Sequence, residues 1–233
     1  MKTYVITEGQ SDAELLRTLL PGGQGGKVQV EPGGSRSSAI SLSRSLLAKR
    51  RAPVLVVLDA DTRDRWHLDE QSQIVQDLLR DISPDVQSSV VLVPPSIDAI
   101  YFQDRQALER VLGEPLSDQE WHDAAFDPTM VLSGVLKRNN LTREALLERA
   151  SRDRGFLRQI ARHPSILEIK RFIEGPNSSP RPAPSPVAQP AEAREVSGAQ
   201  AEPTLEQGFW SRIAGWFAAI FKGPRDGTRV APG

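Results

Sequence analysis

Glu8-Gly9-x-x-Asp12 follows the apolar run Tyr4-Val5-Ile6, and Asp59-Ala60-Asp61 follows the apolar run Val54–Leu58 (VLVVL). A carboxylate placed just after a strand can ligate a cation or move a proton. Four carboxylates gathered at one place repel each other unless a cation neutralises them. Oxygen-only donors with no Cys or His among them favour a hard ion, Mg²⁺ or Mn²⁺, and so point toward metal-assisted chemistry at phosphate. Gly9 suits the sharp turn from strand to helix. Each motif also has a purely structural reading. Ser11-x-x-Glu14 spells a capping box, which would make Asp12 a first-turn acid facing the helix dipole. Asp59 and Asp61 could be ordinary turn residues. Their joint occurrence, each after a strand, favours the site.

The surrounding elements must bring the two motifs together. Tyr4–Ile6, Val28–Val30, Val54–Leu58 and Val90–Val93 read as strands. Ala13–Leu20, Ser38–Lys49 and Glu70–Asp81 read as helices between them, with Leu15, Leu16, Leu19 and Leu20 on one face of the first. Strand–helix alternation predicts βαβ units and an α/β fold: a small, open, mostly parallel sheet flanked by helices. VLVVL is the unbroken apolar pattern of a central strand covered on both faces. In such sheets ligands collect beyond the carboxyl ends of the strands, which is where both motifs fall.

VITEGQSDAELL followed by VLVVLDADT resembles the TOPRIM signature, and within it the small stand-alone OLD-like branch. The resemblance covers roughly residues 1–104 and implies a Rossmann-like fold with one or two Mg²⁺ or Mn²⁺ ions. It assigns Glu8, Asp59 and Asp61 as metal and acid/base positions and Asp12 as a ligand of a second ion. Pro95–Ile100 resembles a Pro-x-Ile-Glu segment of that branch, with Asp98 standing where the branch has Glu. Gly33-Gly34-Ser35-Arg36-Ser37-Ser38 resembles the glycine-bearing turn before the second TOPRIM helix. Its N–H groups and Arg36 could meet a phosphate, or Ser35 or Ser37 could simply cap the helix. No G-x-x-x-x-G-K-[ST] is present, so the sequence carries no P-loop ATPase signature. The implied activity is a phosphodiesterase or nuclease acting on nucleic acid. The alternatives are nucleotidyl or phosphoryl transfer on a small nucleotide, and a non-catalytic binding module.

With 29 Lys and Arg against 30 Asp and Glu, the net charge of −1 excludes a generally basic nucleic-acid binder. Contact with nucleic acid would have to be local: at Arg63-Asp64-Arg65-Trp66-His67, read as a basic loop, or along the Arg-rich stretch from Lys137 to Arg171. His67, His122 and His163 lack metal-ligand spacing. Zero cysteines exclude thiolate chemistry. With no signal-like leader and no apolar stretch of roughly 18–20 residues, the expected location is cytoplasmic.

Residues 105–174 read as a helical extension (Ala107–Leu112, Met130–Leu136, Leu141–Ala150, Ile166–Ile173). Residues 175–203 read as a disordered Pro/Ala/Ser-rich linker. Residues 204–233 carry a short aromatic amphipathic segment, 209–221, with Trp210, Ile213, Phe217, Ile220 and Phe221 on one face. Such a segment would serve a protein partner or self-association in preference to a membrane surface.

Overall fold

The computed structural model describes residues 2–20 and 26–175, which fall within one compact unit. The expected linker and the aromatic segment 209–221 lie outside the described residues. Four strands, β1 (Thr3–Thr7), β2 (Val28–Pro32), β3 (Val54–Asp59) and β4 (Ser88–Val93), form an all-parallel sheet in the order β2-β1-β3-β4. Helices α1 (Gln10–Leu19), α2 (Arg36–Arg50) and α3 (Arg65–Arg80) connect them. A kinked 3₁₀ segment (Ile97–Gln103) follows, then α4 (Arg105–Leu112), α5 (Asp118–Asp123), α6 (Pro128–Arg138), α7 (Arg143–Arg152), α8 (Arg154–Ile160) and α9 (Pro164–Glu174). No helix among the described residues is long and apolar enough to cross a membrane. The α/β class and parallel sheet read from the sequence are the ones observed.

Alternation along the strands builds two cores. Val5, Val28, Val30, Leu55, Val57, Val91 and Val93 face α1 and the later helices, meeting Leu15, Leu16, Leu108, Leu132, Phe156 and Ile166. Tyr4, Ile6, Val54, Val56, Leu58 and Val90 face α2 and α3, meeting Ala39, Leu47, Val75 and Leu79. The first five residues of β3 are buried, alternately on the two faces, and each contributes about 1.5–3 kcal/mol of apolar burial to its own side.

The strand order positions the site. From β1 the chain runs through α1 on one face to β2, then through α2 on the other face to β3, on the opposite side of β1. The carboxyl ends of β1 and β3 therefore flank the switch point at which a parallel sheet opens a crevice. Register seals the pairing, since Thr7 lies opposite Val57.

Several elements begin earlier than their apolar periodicity indicates, because polar caps set their starts. In α1, Gly9 occupies the cap position and its N–H donates to Asp12 Oδ2 at 2.9 Å. The expected Ser11/Glu14 box does not form. Ser11 donates to Asp12, and Glu14 accepts from Gln10. In α3, Asp64 accepts from His67 N at 3.0 Å, so Arg65, Trp66 and His67 form a first helical turn and not a basic loop.

A carboxylate cleft at the ends of β1 and β3

Glu8, Asp12, Asp59 and Asp98 line one open cleft of about 300 Å³, together with Gly9, Ser11, Gly34, Ser35, Ile97, Thr129 and Arg143. Glu8 leaves the end of β1, and its Oε1 accepts from the Asp59 backbone N–H at 3.1 Å, so the two strand ends are joined by the site's own side chain. Asp59 Oδ1 accepts from Ile97 N–H at 2.7 Å. That bond fixes the rotation of the carboxylate and leaves Oδ2 as its available oxygen. Asp12, one turn into α1, accepts from Gly9 and Ser11. It therefore caps its helix and lines the cleft at once, so the structural and functional readings of this residue coexist.

Burial pushes the Asp59 carboxyl up to about 7, and the negative charges of Asp12, Glu8 and Asp98 add to the rise against the opposing Ile97 hydrogen bond. Burial also raises Glu8, partly offset by Arg36.

Arg36 does not line the cleft but bonds to residues that do. It donates to Glu8 Oε1 at 3.3 Å, Asp61 Oδ2 at 3.3 Å, Gln71 at 3.4 Å and the Asp59 carbonyl. Asp61 does not line the cleft. Its side chain is 80 % exposed, its backbone is left-handed (φ 55°), and its N–H donates to Pro95 O at 2.8 Å. Asp tolerates that conformation better than most residues. Asp98 is deeply buried and gripped by both terminal nitrogens of Arg143, at the start of α7.

In the glycine-bearing turn, Gly33 N–H donates to Thr7 O and Gly34 N–H to Glu8 O, each at 2.8 Å. Those two groups hold the turn to β1. Ser35 accepts from Ser38 N at 3.2 Å and caps α2. Gly33 is required by contact: a Cβ there would lie 2.4 Å from Ala39 Cα. Gly34 is required by its φ of 91°, with open space around it. Gly33→Ala should cost about 1–3 kcal/mol by overpacking, and Gly34→Ala about 1–2 kcal/mol by backbone strain. Urea denaturation of the two variants checks both; wild-type stability in Gly33→Ala would contradict the close approach.

None of the three histidines lines the cleft. His67 pairs with Asp64, His122 stands edge-on to Phe126, and buried His163 caps α9 through Nδ1. The sequence reading did not single out Thr129, and it assigned neither Ser11 nor Arg143 to the site. Thr129 shares a hydrogen bond of 2.8 Å with Ser96, and a lone Thr beside an N-terminal Pro carries no chemical signature of its own.

The donor set is of the kind a hard cation takes. Its chemistry fits: four carboxylates around one cleft, with Asp59 disfavoured as an anion by its neighbours. Among the described residues, however, no three acids or histidines converge as a ready-made ligand group. Arg36 and Arg143 hold Glu8 and Asp98 instead.

No family model matches this chain, and no curated protein matches it. Among solved structures, it is similar to the C-terminal region of the Burkholderia pseudomallei OLD protein. The identity is 15%, the TM-score is 0.40, and the match covers 73% of this chain and 98% of that one.

Proposed function

We propose that the cleft is a divalent-cation-dependent phosphodiester-hydrolysing site that acts on nucleic acid. The observation that carries this reading is Asp59, set among Glu8, Asp12 and Asp98 where burial and neighbouring charge disfavour its anion. A site of that kind gains most from a cation. The TOPRIM-like order of Glu8, Asp12, Asp59 and Asp61 supports the same assignment.

Glu8, Asp59 and Asp12 would have to draw together to hold Mg²⁺ or Mn²⁺, with Asp98 joining on release from Arg143 and Asp61 from the rim. Such an ion, when bound, polarises a phosphoryl oxygen and lowers the pKa of a bound water. The chain's own groups do the rest. Arg36 and Arg143 are planar donors suited to two oxygens of a phosphate, and each is placed to exchange a carboxylate partner for it. Asp59 would hold the ion through Oδ2, the oxygen that the Ile97 hydrogen bond leaves available.

A non-catalytic binding module is the second reading, favoured by the ion pairs that already neutralise Glu8 and Asp98. One experiment separates the two: the full chain is incubated with DNA and RNA oligonucleotides in Mg²⁺, Mn²⁺ or EDTA, alongside calorimetric titration with Mn²⁺. Cleavage in Mg²⁺ or Mn²⁺ that EDTA abolishes, with metal affinity reduced in Asp59→Ala, is the expected outcome. Binding of oligonucleotide without cleavage in any metal would establish the module instead.

A further inference from the structure

The geometry points to a substrate class for this cleft: a single nucleic-acid strand whose unpaired bases stack on exposed rings at the rim. The inference rests on the phosphodiester reading above. Trp66 is 62 % exposed, Phe126 70 % and Met130 58 %, and they are three of the four large apolar side chains standing in solvent among the described residues. Scattered apolar side chains on a surface are ordinary; the placement of these three is what matters.

Trp66 lies in the first turn of α3, directly after the loop that carries Asp61. Phe126 precedes the Asp127 cap of α6, and Met130 adjoins Thr129, the α6 residue that lines the cleft. Both groups hang on one turn. Asp61 N–H donates to Pro95 O, and the Thr129 hydroxyl is hydrogen-bonded to Ser96, each at 2.8 Å. Each ring has an imidazole edge-on beside it: His67 at 5.1 Å and 78° from Trp66, and His122 at 5.4 Å and 62° from Phe126.

Exposed aromatic rings near a cleft that handles phosphodiesters are the arrangement that binds strands through base stacking. Exposed Arg63 and Arg65 precede Trp66 with Asp64 between them, and their charges add attraction for the backbone. Bases inside a duplex already stack on each other, so their faces are closed to such rings.

The test is fluorescence anisotropy in EDTA with a labelled 12-nucleotide strand, the same sequence as duplex, and a strand of tetrahydrofuran abasic residues. The wild-type chain should prefer the strand with bases over both others. Trp66→Ala and Phe126→Ala should each weaken it roughly 5- to 100-fold, and Trp66→Phe should restore most of the loss. Circular dichroism of each variant verifies folding. Equal affinity of the Ala variants, or duplex preferred over strand, overturns the inference. So does loss of self-association, or of capture of a 209–221 peptide, without loss of strand binding, because the rings then serve a protein contact. Wild-type chain that cleaves the abasic strand in Mg²⁺ yet shows no preference for bases overturns this inference alone; a strand-binding chain that cleaves nothing in any metal overturns the hydrolytic reading alone.

Discussion

Asp59→Asn should remove divalent-dependent hydrolysis by at least about a hundred-fold and, in the metal-free protein, make the chain more stable at pH 8. The carboxyl titrates near 7 in the fold against an ordinary value of 3.8. Between those values the folded state keeps a proton that the unfolded chain has released. Stability from this group is therefore complete below about pH 4 and falls as the pH rises to 7. Asn keeps the acceptor for Ile97 N–H and has no charge to desolvate. The gain at pH 8 should be on the order of 2 kcal/mol, since the group is only partly shielded from solvent. Urea denaturation at pH 5 and pH 8 reads the difference directly. Parallel pH profiles for wild type and variant would show that Asp59 is not under the electrostatic load described. Added Mg²⁺ should narrow the gap by stabilising only the wild type.

Arg143→Met should be the most destabilising single substitution at the cleft, at about 3–5 kcal/mol, because it strands a buried anion. The Asp98 side chain is 6 % exposed, and both of its oxygens accept from Arg143. Removing the carboxylate as well, in Asp98→Asn/Arg143→Met, should recover most of the loss, since the double variant leaves no uncompensated charge. A double-mutant cycle measured by thermal and urea unfolding decides it. Strict additivity of the two substitutions would mean that the pair contributes nothing jointly, and that Arg143 acts only through packing.

The contrast between these two residues shows where sequence reading stops. Asp59 is legible because its role depends on what precedes it: VLVVL is a buried parallel strand, and its next residue must emerge at the sheet's carboxyl end. Glu8 follows from the same logic on β1. The parallel sheet was equally legible, because apolar runs alternate with helix-period segments. Arg143 offers no such cue. Its partner is 45 residues away, and an arginine at the start of a polar helix resembles any solvated cation until α7 is placed against the 3₁₀ segment. The early start of α3 hides for a related reason: Arg65–His67 has no apolar period, and only the Asp64 cap begins the helix there. The short α5 and α8 begin at Ser117 and Asp153 caps and span too few turns to display a period.

Four acids gather at one edge of a parallel sheet, yet two walls of their cleft, Thr129 and Arg143, belong to helices encoded well after the last strand. Later helices also share with α1 the covering of one face of that sheet, with α9 against β4. For protein engineering this fixes what can be transplanted. A chimera joined at residue 104, where the composition turns from mixed to helical, would inherit the acids without Arg143 and bring an apolar sheet face stripped of its cover at β4. The seam most visible along the chain passes through the middle of the chemistry, and a workable graft must carry residues 2–175 together.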